Sequence, residues 1–195
     1  MIIDQREIQR IGGAAAKFPS AYVVNMLLRK IRAEKVLDVT YGRGRFYYIY
    51  RPRLLIGADP VKRDWVVNPD RFYQANVWQL YSLLEERDFD VVVCDPPKWN
   101  RRIKYNKREE YDYVIGDAYS IIMGAIRLAR EKTSAKYFLL HYNKLLPLQI
   151  IEDVKFVWWA RYLYSSNKNP THFTLYLITP SQGDDMRAKR EVEGE

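Results

Sequence analysis

Apolar and polar residues recur along the chain with two spacings, one typical of helices and one of strands. Residues 19–34 have apolar positions at helical spacing behind Ser20, a predicted N-cap, and KVLDV at 35–39 follows as a short strand. The pattern predicts further strands over 54–60, 71–76, 90–97, 135–142, 153–164 and 171–179, and further helices over 77–87 and 114–132.

The order of these elements predicts an α/β fold built on one sheet. Strands joined through helices run parallel, whereas the last two predicted strands are separated by SSNKNP at 165–170, a composition typical of a hairpin. We therefore expect a mainly parallel sheet of seven strands with one antiparallel strand near the C-terminus, in a single domain over 1–180. The charged segment 181–195 is predicted to be a disordered tail.

The composition restricts the class of protein. No apolar stretch is long enough to cross a membrane, the N-terminus is charged where a signal peptide is apolar, and the only cysteine is Cys94. We expect a cytoplasmic protein without an internal disulfide. The net charge of +8 and the 16 Tyr and 5 Trp residues favour a nucleic acid partner, because cations neutralise phosphates and rings stack on bases. A basic protein with an aromatic core has the same composition.

The segment VCDPPKW, Val93–Trp99, carries the most specific chemical pattern. The apolar run before it predicts a buried strand with Asp95 at its carboxyl end, where open α/β sheets bind ligands. Pro96 and Pro97 end the ladder and stiffen the turn, and their carbonyls remain available as acceptors. The alternative is an ordinary turn at the end of a strand that happens to contain an Asp.

A second pattern, DVTYGRG, begins at Asp38 and predicts a loop that a ligand can approach closely. Gly42 and Gly44 remove side chains there, and the start of a following helix can offer free N–H groups to a carboxylate. Asp59 ends the next strand, where nucleotide-binding α/β folds place an acid on ribose hydroxyls. A plain turn with two glycines, and a turn Asp before Pro60, are the alternatives.

In order and spacing, VLDVTYGRG, IGADP and DPPKW resemble the motifs of class I S-adenosylmethionine (SAM)-dependent methyltransferases, over roughly 17–180. DPPKW is similar to the DPPY or NPPY tetrapeptide of enzymes that methylate exocyclic amines of nucleic acid bases. The resemblance implies the Rossmann-like sandwich of that class, with SAM as cofactor. It implies that the cofactor is bound by Asp38, Thr40, Tyr41, Gly42, Gly44, Asp59 and Asn76.

The resemblance also implies a role for each of these residues. Asp38 would attract the methionine ammonium, Thr40 and Tyr41 would line the loop, and Asp59 would bind the ribose. Asn76 would contact the adenine, although it is an equally good cap for the helix over 77–87. Lys17 and Phe18 fall where related enzymes place a segment that closes over the cofactor, and a simple lead into the helix over 19–34 is the alternative.

For catalysis, the resemblance implies that the Asp95 carboxylate and the Pro96 carbonyl accept the two protons of an NH2 group, with Pro97 completing the turn. Such an arrangement needs no strong base, because positioning supplies much of the acceleration. The chain departs from the family at Lys98, where Tyr or Phe usually stacks on the base. Trp99 or Tyr105 would take over the stacking, and Lys98 would meet a phosphate.

The residues after this turn, 98–113, mix Lys and Arg with Trp and Tyr and lack an apolar face, so they predict a loop or lid. A solvated loop is the alternative. The predicted substrate-binding residues are Lys98, Trp99, Arg101, Arg102, Lys104 and Tyr105.

Together these features predict an N-methyltransferase of nucleic acid bases. RNA, such as rRNA or tRNA, is the expected substrate because 195 residues leave no room for a DNA target-recognition domain, and cytosine N4 or adenine N6 is expected before guanine N2. The alternatives are a DNA adenine or cytosine methyltransferase, a non-catalytic nucleic-acid-binding protein and a small-molecule methyltransferase. No metal site is expected, because His141 and His172 lack further ligands at a suitable spacing, and Cys94 is expected to be a buried thiol.

Overall fold

The computed structural model describes residues 1–97, 118–163 and 170–179, which contain eight strands in one sheet. The strands are β1 Ile2–Asp4, β2 Lys35–Asp38, β3 Leu54–Ala58, β4 Arg71–Tyr73, β5 Val91–Cys94, β6 Tyr137–Tyr142, β7 Val154–Leu163 and β8 Thr171–Ile178. The helices are α1 Gln5–Ile11, α2 Gly13–Lys17, α3 Pro19–Lys30, α4 Val77–Leu83 and α5 Ala118–Lys132, with short 3-10 helices at Arg45–Tyr47 and Leu148–Ile150.

The strand order is β1-β7-β8-β6-β5-β2-β3-β4. Every neighbouring pair is parallel except those of β8, which runs antiparallel to both β6 and β7. The mainly parallel sheet and its antiparallel strand near the C-terminus are confirmed. The predicted number of seven strands is too low, because Ile2–Asp4 adds a parallel edge strand to β7. Three residues are too few to show a strand pattern in the sequence.

Two helix boundaries differ from the sequence prediction. Ser20 lies inside α3, whose N-cap is Phe18 and whose first residue is Pro19. This position suits proline, which lacks a backbone N–H, because an N–H at the first helical residue has no partner within the helix. Helix α4 ends at Leu83 because Leu84 is already extended. Of the predicted helix over 114–132, the part after Ala118 is confirmed as α5, and residues 114–117 lie outside the described part of the chain.

Hydrophobic cores cover both faces of the sheet. Because successive side chains of a strand point to opposite faces, Val91 and Val93 of β5 pack with α3, while Val92 and Cys94 pack with α4 and α5. Burial on both faces explains the unbroken apolar run of β5. It also leaves the carboxyl edge of the sheet as the place where polar side chains from β2, β3 and β5 meet.

Candidate active site at the carboxyl edge of the sheet

Thr40 connects the residues that follow β2 and β5. Its hydroxyl accepts the backbone N–H of Asp95 at 2.6 Å and donates to Oδ1 of Asp38 at 3.2 Å. The pairing of β2 with β5, which sets Asp38 opposite Val93, places the two segments side by side. The structure therefore brings the glycine loop and the DPP turn, predicted separately from the sequence, into direct contact.

Asp38 lies inside the protein. Only 2% of its surface is exposed, and its carboxylate accepts the Thr40 N–H at 2.9 Å and the Tyr47 hydroxyl at 2.8 Å. The pKa of Asp38 is raised from 3.8 to about 7, mainly by burial and further by the nearby charge of Asp95. The hydrogen bonds from Thr40 and Tyr47 offset part of this rise. Burial also raises the pKa of Tyr47, which keeps its proton for this bond. The sequence analysis did not find Tyr47.

The glycine loop is held by Asp59, as well as by Asp38. The Asp59 carboxylate accepts the N–H of Gly42 at 3.0 Å and that of Val61 at 2.9 Å, and burial raises its pKa. Gly42 and Gly44 both adopt positive φ angles, of 54° and 68°, which favour glycine. A three-residue 3-10 helix follows the loop in place of the expected α-helix start.

The two glycines have different surroundings. A Cβ on Gly44 would lie 2.6 Å from both the Tyr41 hydroxyl and the Val67 carbonyl, so this position is closed by protein. Among the described residues, a Cβ on Gly42 would meet only the Thr40 carbonyl, at 3.9 Å, which leaves open space beside this part of the backbone. Gly42 is therefore where a ligand can approach the loop.

Tyr41 and Asn76 have structural roles in the described geometry. Tyr41 is buried beneath the loop, where its hydroxyl donates to the Val67 carbonyl at 2.8 Å. Asn76 caps α4, accepting the N–H groups of Trp78 and Gln79 at 3.1 and 2.9 Å, while the Gln79 side chain accepts the Asn76 N–H. The capping alternative for Asn76 is thus observed, and its contact with an adenine stays a prediction.

Asp95 has a partner that the sequence analysis missed. Nδ1 of His141, near the end of β6, lies 3.0 Å from Oδ1 of Asp95. His141 is buried, its Nε2 lies 2.9 Å from the Thr171 hydroxyl, and its ring stacks on Phe173 with centroids 4.1 Å apart. His141 is thus packed and hydrogen-bonded between β6 and β8.

The remaining predicted residues divide into those that the structure describes and those that it does not. Pro96 is buried and Pro97 half-buried after β5, and the Asp95 side chain is 33% exposed. Cys94 is a buried thiol whose pKa is raised by burial. The predicted substrate-binding residues Lys98, Trp99, Arg101, Arg102, Lys104 and Tyr105 lie outside the described residues, as does the segment 181–195.

Metal-ligand clusters and membrane-spanning helices are both absent from the described part of the chain. In residues 1–97, 118–163 and 170–179, no three His, Cys, Asp or Glu side chains are grouped as metal ligands would be. No helix within the same ranges is long and apolar enough to cross a bilayer.

The residues at this edge fit a nucleoside cofactor. Gly42 offers open space, and Asp59 offers carboxylate oxygens at the end of β3, each with capacity for more than the one N–H it already accepts. Asp38 instead faces inward, and its direct contact with a methionine ammonium stays a prediction. The Asp59 carboxylate can accept hydrogen bonds from the hydroxyl groups of a ribose, and Gly42 allows a close approach to the backbone.

Structural comparison identifies the fold. No family model and no curated protein matches the sequence. Among solved structures, the N-methyltransferase NodS from Bradyrhizobium japonicum aligns with 83% of this chain and 97% of its own, at 10% identity and a TM-score of 0.52. The METTL16 methyltransferase domain aligns with 81% of each chain, at 13% identity and a TM-score of 0.52. The O-methyltransferase TomG from Streptomyces achromogenes, solved with SAM, aligns with 85% of this chain and 86% of its own at 15% identity and a TM-score of 0.49. The chain has the Rossmann-like fold of class I SAM-dependent methyltransferases.

Proposed function

We propose that this chain is a SAM-dependent methyltransferase that methylates an exocyclic amine of a nucleic acid base, with RNA as substrate and cytosine N4 or adenine N6 as acceptor before guanine N2. The single observation that carries the proposal is the hydrogen bond from Asp95 to Thr40, because it joins a DPP turn to a glycine loop at the carboxyl edge of the sheet. The shared fold supports methyl transfer. The net charge of +8 supports a polyanionic substrate.

In this proposal each residue has a defined task. SAM, when bound, supplies a methyl group on a positively charged sulfur that an amine nitrogen can displace. Gly42 and Asp59 hold the nucleoside part, and Asp38 fixes the loop from inside through Thr40. Asp95 and the Pro96 carbonyl each accept a hydrogen bond from one N–H of the amine. These two bonds direct the nitrogen lone pair toward the cofactor cleft.

His141 acts through Asp95. With Oδ1 of Asp95 facing His141 and the Asp95 side chain still partly exposed, the carboxylate is held in one orientation while it accepts an amine N–H. The nitrogen carries one proton too many after it has gained the methyl group, and the Asp95 carboxylate can take that proton before passing it to solvent. We assign His141 as a positioning residue.

The test measures methyl transfer and cofactor binding separately. Purified protein is incubated with methyl-labelled SAM and either total RNA or genomic DNA, and the modified nucleoside is identified by mass spectrometry. Asp95→Ala should keep the SAM affinity of the wild type, measured by calorimetry, and lose at least about a hundredfold in transfer, because the lost contact orients the acceptor amine. Asp88→Ala, at an exposed carboxylate near the opposite edge, is the control and should transfer normally. Wild-type protein that labels neither nucleic acid would contradict the proposal.

One observation favours a second candidate, a nucleic-acid-binding protein without catalysis. The carboxylates of Asp38 and Asp59 both accept hydrogen bonds from the protein itself, as expected where such residues serve only to fix the loop. Calorimetry separates the two candidates. SAM binding that is weakened in Asp59→Ala supports the enzyme, and RNA binding without any SAM binding supports the second candidate.

A further inference from the structure

In the described part of the chain, the arginines that form ion pairs with carboxylates lie away from the proposed active site. Their carboxylate partners cancel their charge locally, so they contribute little to the attraction of a polyanion. These pairs are Arg51 with Asp70, Arg53 with Glu34, Arg71 with Glu85 and Glu86, Arg127 with Glu131, and Arg130 with Asp153.

Three exposed cations near the proposed site have aromatic partners instead. Lys17 Nζ lies 5.0 Å from the ring centre of Tyr48 and 5.7 Å from that of Phe18, and Arg45 Cζ lies 5.6 Å from the Phe18 ring. The third cation is Lys62, whose Nζ lies 5.4 Å from the ring centre of Trp65. We call Lys17, Arg45 and Lys62 the basic rim.

The aromatic contacts hold these cations without cancelling their charge. An aromatic ring attracts a cation through its quadrupole and carries no net charge. Among residues 1–97, 118–163 and 170–179, none of the three forms an ion pair with a carboxylate. The rim cations are therefore positioned in advance and keep their full charge for a ligand, which lowers the entropy lost on binding.

All three lie at the carboxyl edge of the sheet. Lys17 precedes α3, whose N-terminus lies at this edge because α3 leads back into the start of β2. Arg45 follows Gly44, and Lys62 follows the strand end at Asp59. The rim is connected to the catalytic turn, since Phe46 beside Arg45 lies 5.7 Å from the ring of His141, which contacts Asp95.

We infer that the basic rim binds the phosphates of the nucleic acid strand whose base enters the proposed active site. The choice of nucleic acid rests on the proposed function. The acids in the same segments are Asp59, whose oxygens accept backbone N–H groups of the loop, and the exposed Asp64. Arg43 and Arg63 add positive charge beside them, so the two segments that carry Arg45 and Lys62 remain basic.

The test compares two variants with the same loss of charge. The rim variant is Lys17→Gln/Arg45→Gln/Lys62→Gln. The control is Lys30→Gln/Arg87→Gln/Lys136→Gln, which changes three exposed cations at the opposite edge. Binding of a fluorescein-labelled 20-nucleotide single-stranded RNA of mixed sequence is followed by anisotropy at several KCl concentrations, and a DNA strand of the same sequence is the second probe.

We expect the rim variant to bind the RNA at least about tenfold more weakly at low salt, with a log-log salt slope smaller by about two, since each phosphate contact on a single strand contributes about 0.7. The control should stay within about twofold of wild type. The variant Lys17→Arg/Arg45→Lys/Lys62→Arg keeps the charges and should bind the RNA like the wild type. The DNA probe should show the same dependence on the rim, because phosphates are common to both.

Three results would overturn the basic rim: no RNA binding by the wild type at low salt, equal losses in the rim and control variants, or an unchanged salt slope in the rim variant. SAM calorimetry on the same proteins keeps this inference separate from the proposed function. A rim variant that still binds SAM but binds RNA like the wild type contradicts the rim alone. Wild-type protein that binds RNA through the rim but does not bind SAM contradicts the proposed enzyme alone.

Discussion

Thr40 and Asp95 are 55 positions apart, and the Thr40 hydroxyl accepts the Asp95 backbone N–H at 2.6 Å. The same hydroxyl donates to the Asp38 carboxylate, so one side chain joins the buried acid at the end of β2 to the turn after β5. A hydroxyl is suited to this place because it donates and accepts at once. The orientation of the DPP turn therefore depends on the loop that precedes it in the chain.

Replacing Thr40 tests this connection. Thr40→Val keeps the shape of the side chain but leaves the Asp95 N–H without its acceptor, and we expect the free energy of unfolding to fall by about 1–3 kcal/mol. Thr40→Ser keeps the hydroxyl and should lose less. Urea denaturation of the two variants and the wild type measures the difference. Equal stability of Thr40→Val and wild type would show that the bond contributes nothing.

The raised pKa of Asp38 predicts a pH dependence of stability. Because burial raises this pKa from 3.8 to about 7, the folded protein keeps a proton between about pH 4 and 7 that the unfolded chain has released. The contribution of Asp38 to stability is therefore greatest below pH 4 and is lost as the pH rises to 7. Asp38→Asn does not titrate, so its free energy of unfolding relative to wild type should rise from pH 5 to pH 8, by up to a few kcal/mol at about 1.4 kcal/mol per pKa unit.

Asp70 provides the matched control for this experiment. Burial opposes ionisation of Asp70, but the hydrogen bonds from Arg51 and the Leu55 N–H outweigh it and lower the pKa. Its stabilisation is present above its usual pKa and is lost as the pH falls. Asp70→Asn should therefore differ from wild type less at acidic pH than at neutral pH, the opposite trend to Asp38→Asn. Urea denaturation across pH 3–8 measures both, and parallel trends would contradict the assignment for Asp38.

The parts of the site that the sequence predicts are those set by local patterns. A buried strand, two glycines where φ is positive and a Pro-Pro turn are each visible within a few residues of sequence, so the sequence alone places Gly42, Asp59 and Asp95 at the carboxyl edge. The parallel sheet follows from the alternation of strands and helices. The roles of the substrate-binding segment after Pro97 stay predictions.

The parts that the sequence does not predict depend on contacts across strands. His141 reaches Asp95 only because β6 pairs with β5, and Tyr47 reaches Asp38 only because the loop continues into a 3-10 helix. The inward orientation of Asp38 has the same origin, since a strand pattern does not show what fills the space beside a carboxylate. These contacts join residues of different elements, and a sequence pattern of period two or 3.6 contains no information on them.

Gly57 and Tyr41 form a contact that a single methyl group would disturb. A Cβ on Gly57 would lie 2.5 Å from Cγ and 2.7 Å from Cδ2 of Tyr41, so Gly57→Ala should destabilise the protein by about 1–3 kcal/mol through overpacking. Tyr41→Ala removes Cγ and the ring and so opens that space, and the double variant should therefore lose less than the sum of the two single losses. A double-mutant cycle by urea denaturation measures this coupling. Additive losses would contradict the steric account.

Asp59 is predicted to bind the cofactor as well as the loop. Asp59→Ala removes the acceptor for ribose hydroxyls and for the Gly42 N–H, and we expect SAM binding to weaken by about 1–3 kcal/mol. Asp59→Asn keeps one oxygen and should lose less, and Asp64→Ala, at an exposed acid nearby, should bind SAM like the wild type. Calorimetry with SAM measures all three. Equal SAM binding by Asp59→Ala and Asp64→Ala would contradict the predicted contact between SAM and Asp59.

The contact between Asp95 and His141 can be tested without knowing the substrate, because the chain has only two histidines. In the nitrogen spectrum of protein labelled at its imidazole nitrogens, Asp95→Asn should shift the signals of His141, whose Nδ1 lies 3.0 Å from the carboxylate, and leave those of His172 in place. The internal control is the bond from the Trp159 indole N–H to Nδ1 of His172, at 2.8 Å. Trp159→Phe should move the His172 signals alone. Burial lowers the pKa of His172, so spectra recorded at about pH 8 compare neutral His172 rings and its reference signals should not drift. Signals of His141 that are identical in wild type and Asp95→Asn would show that Asp95 is oriented by other groups, and His141 would lose its proposed role.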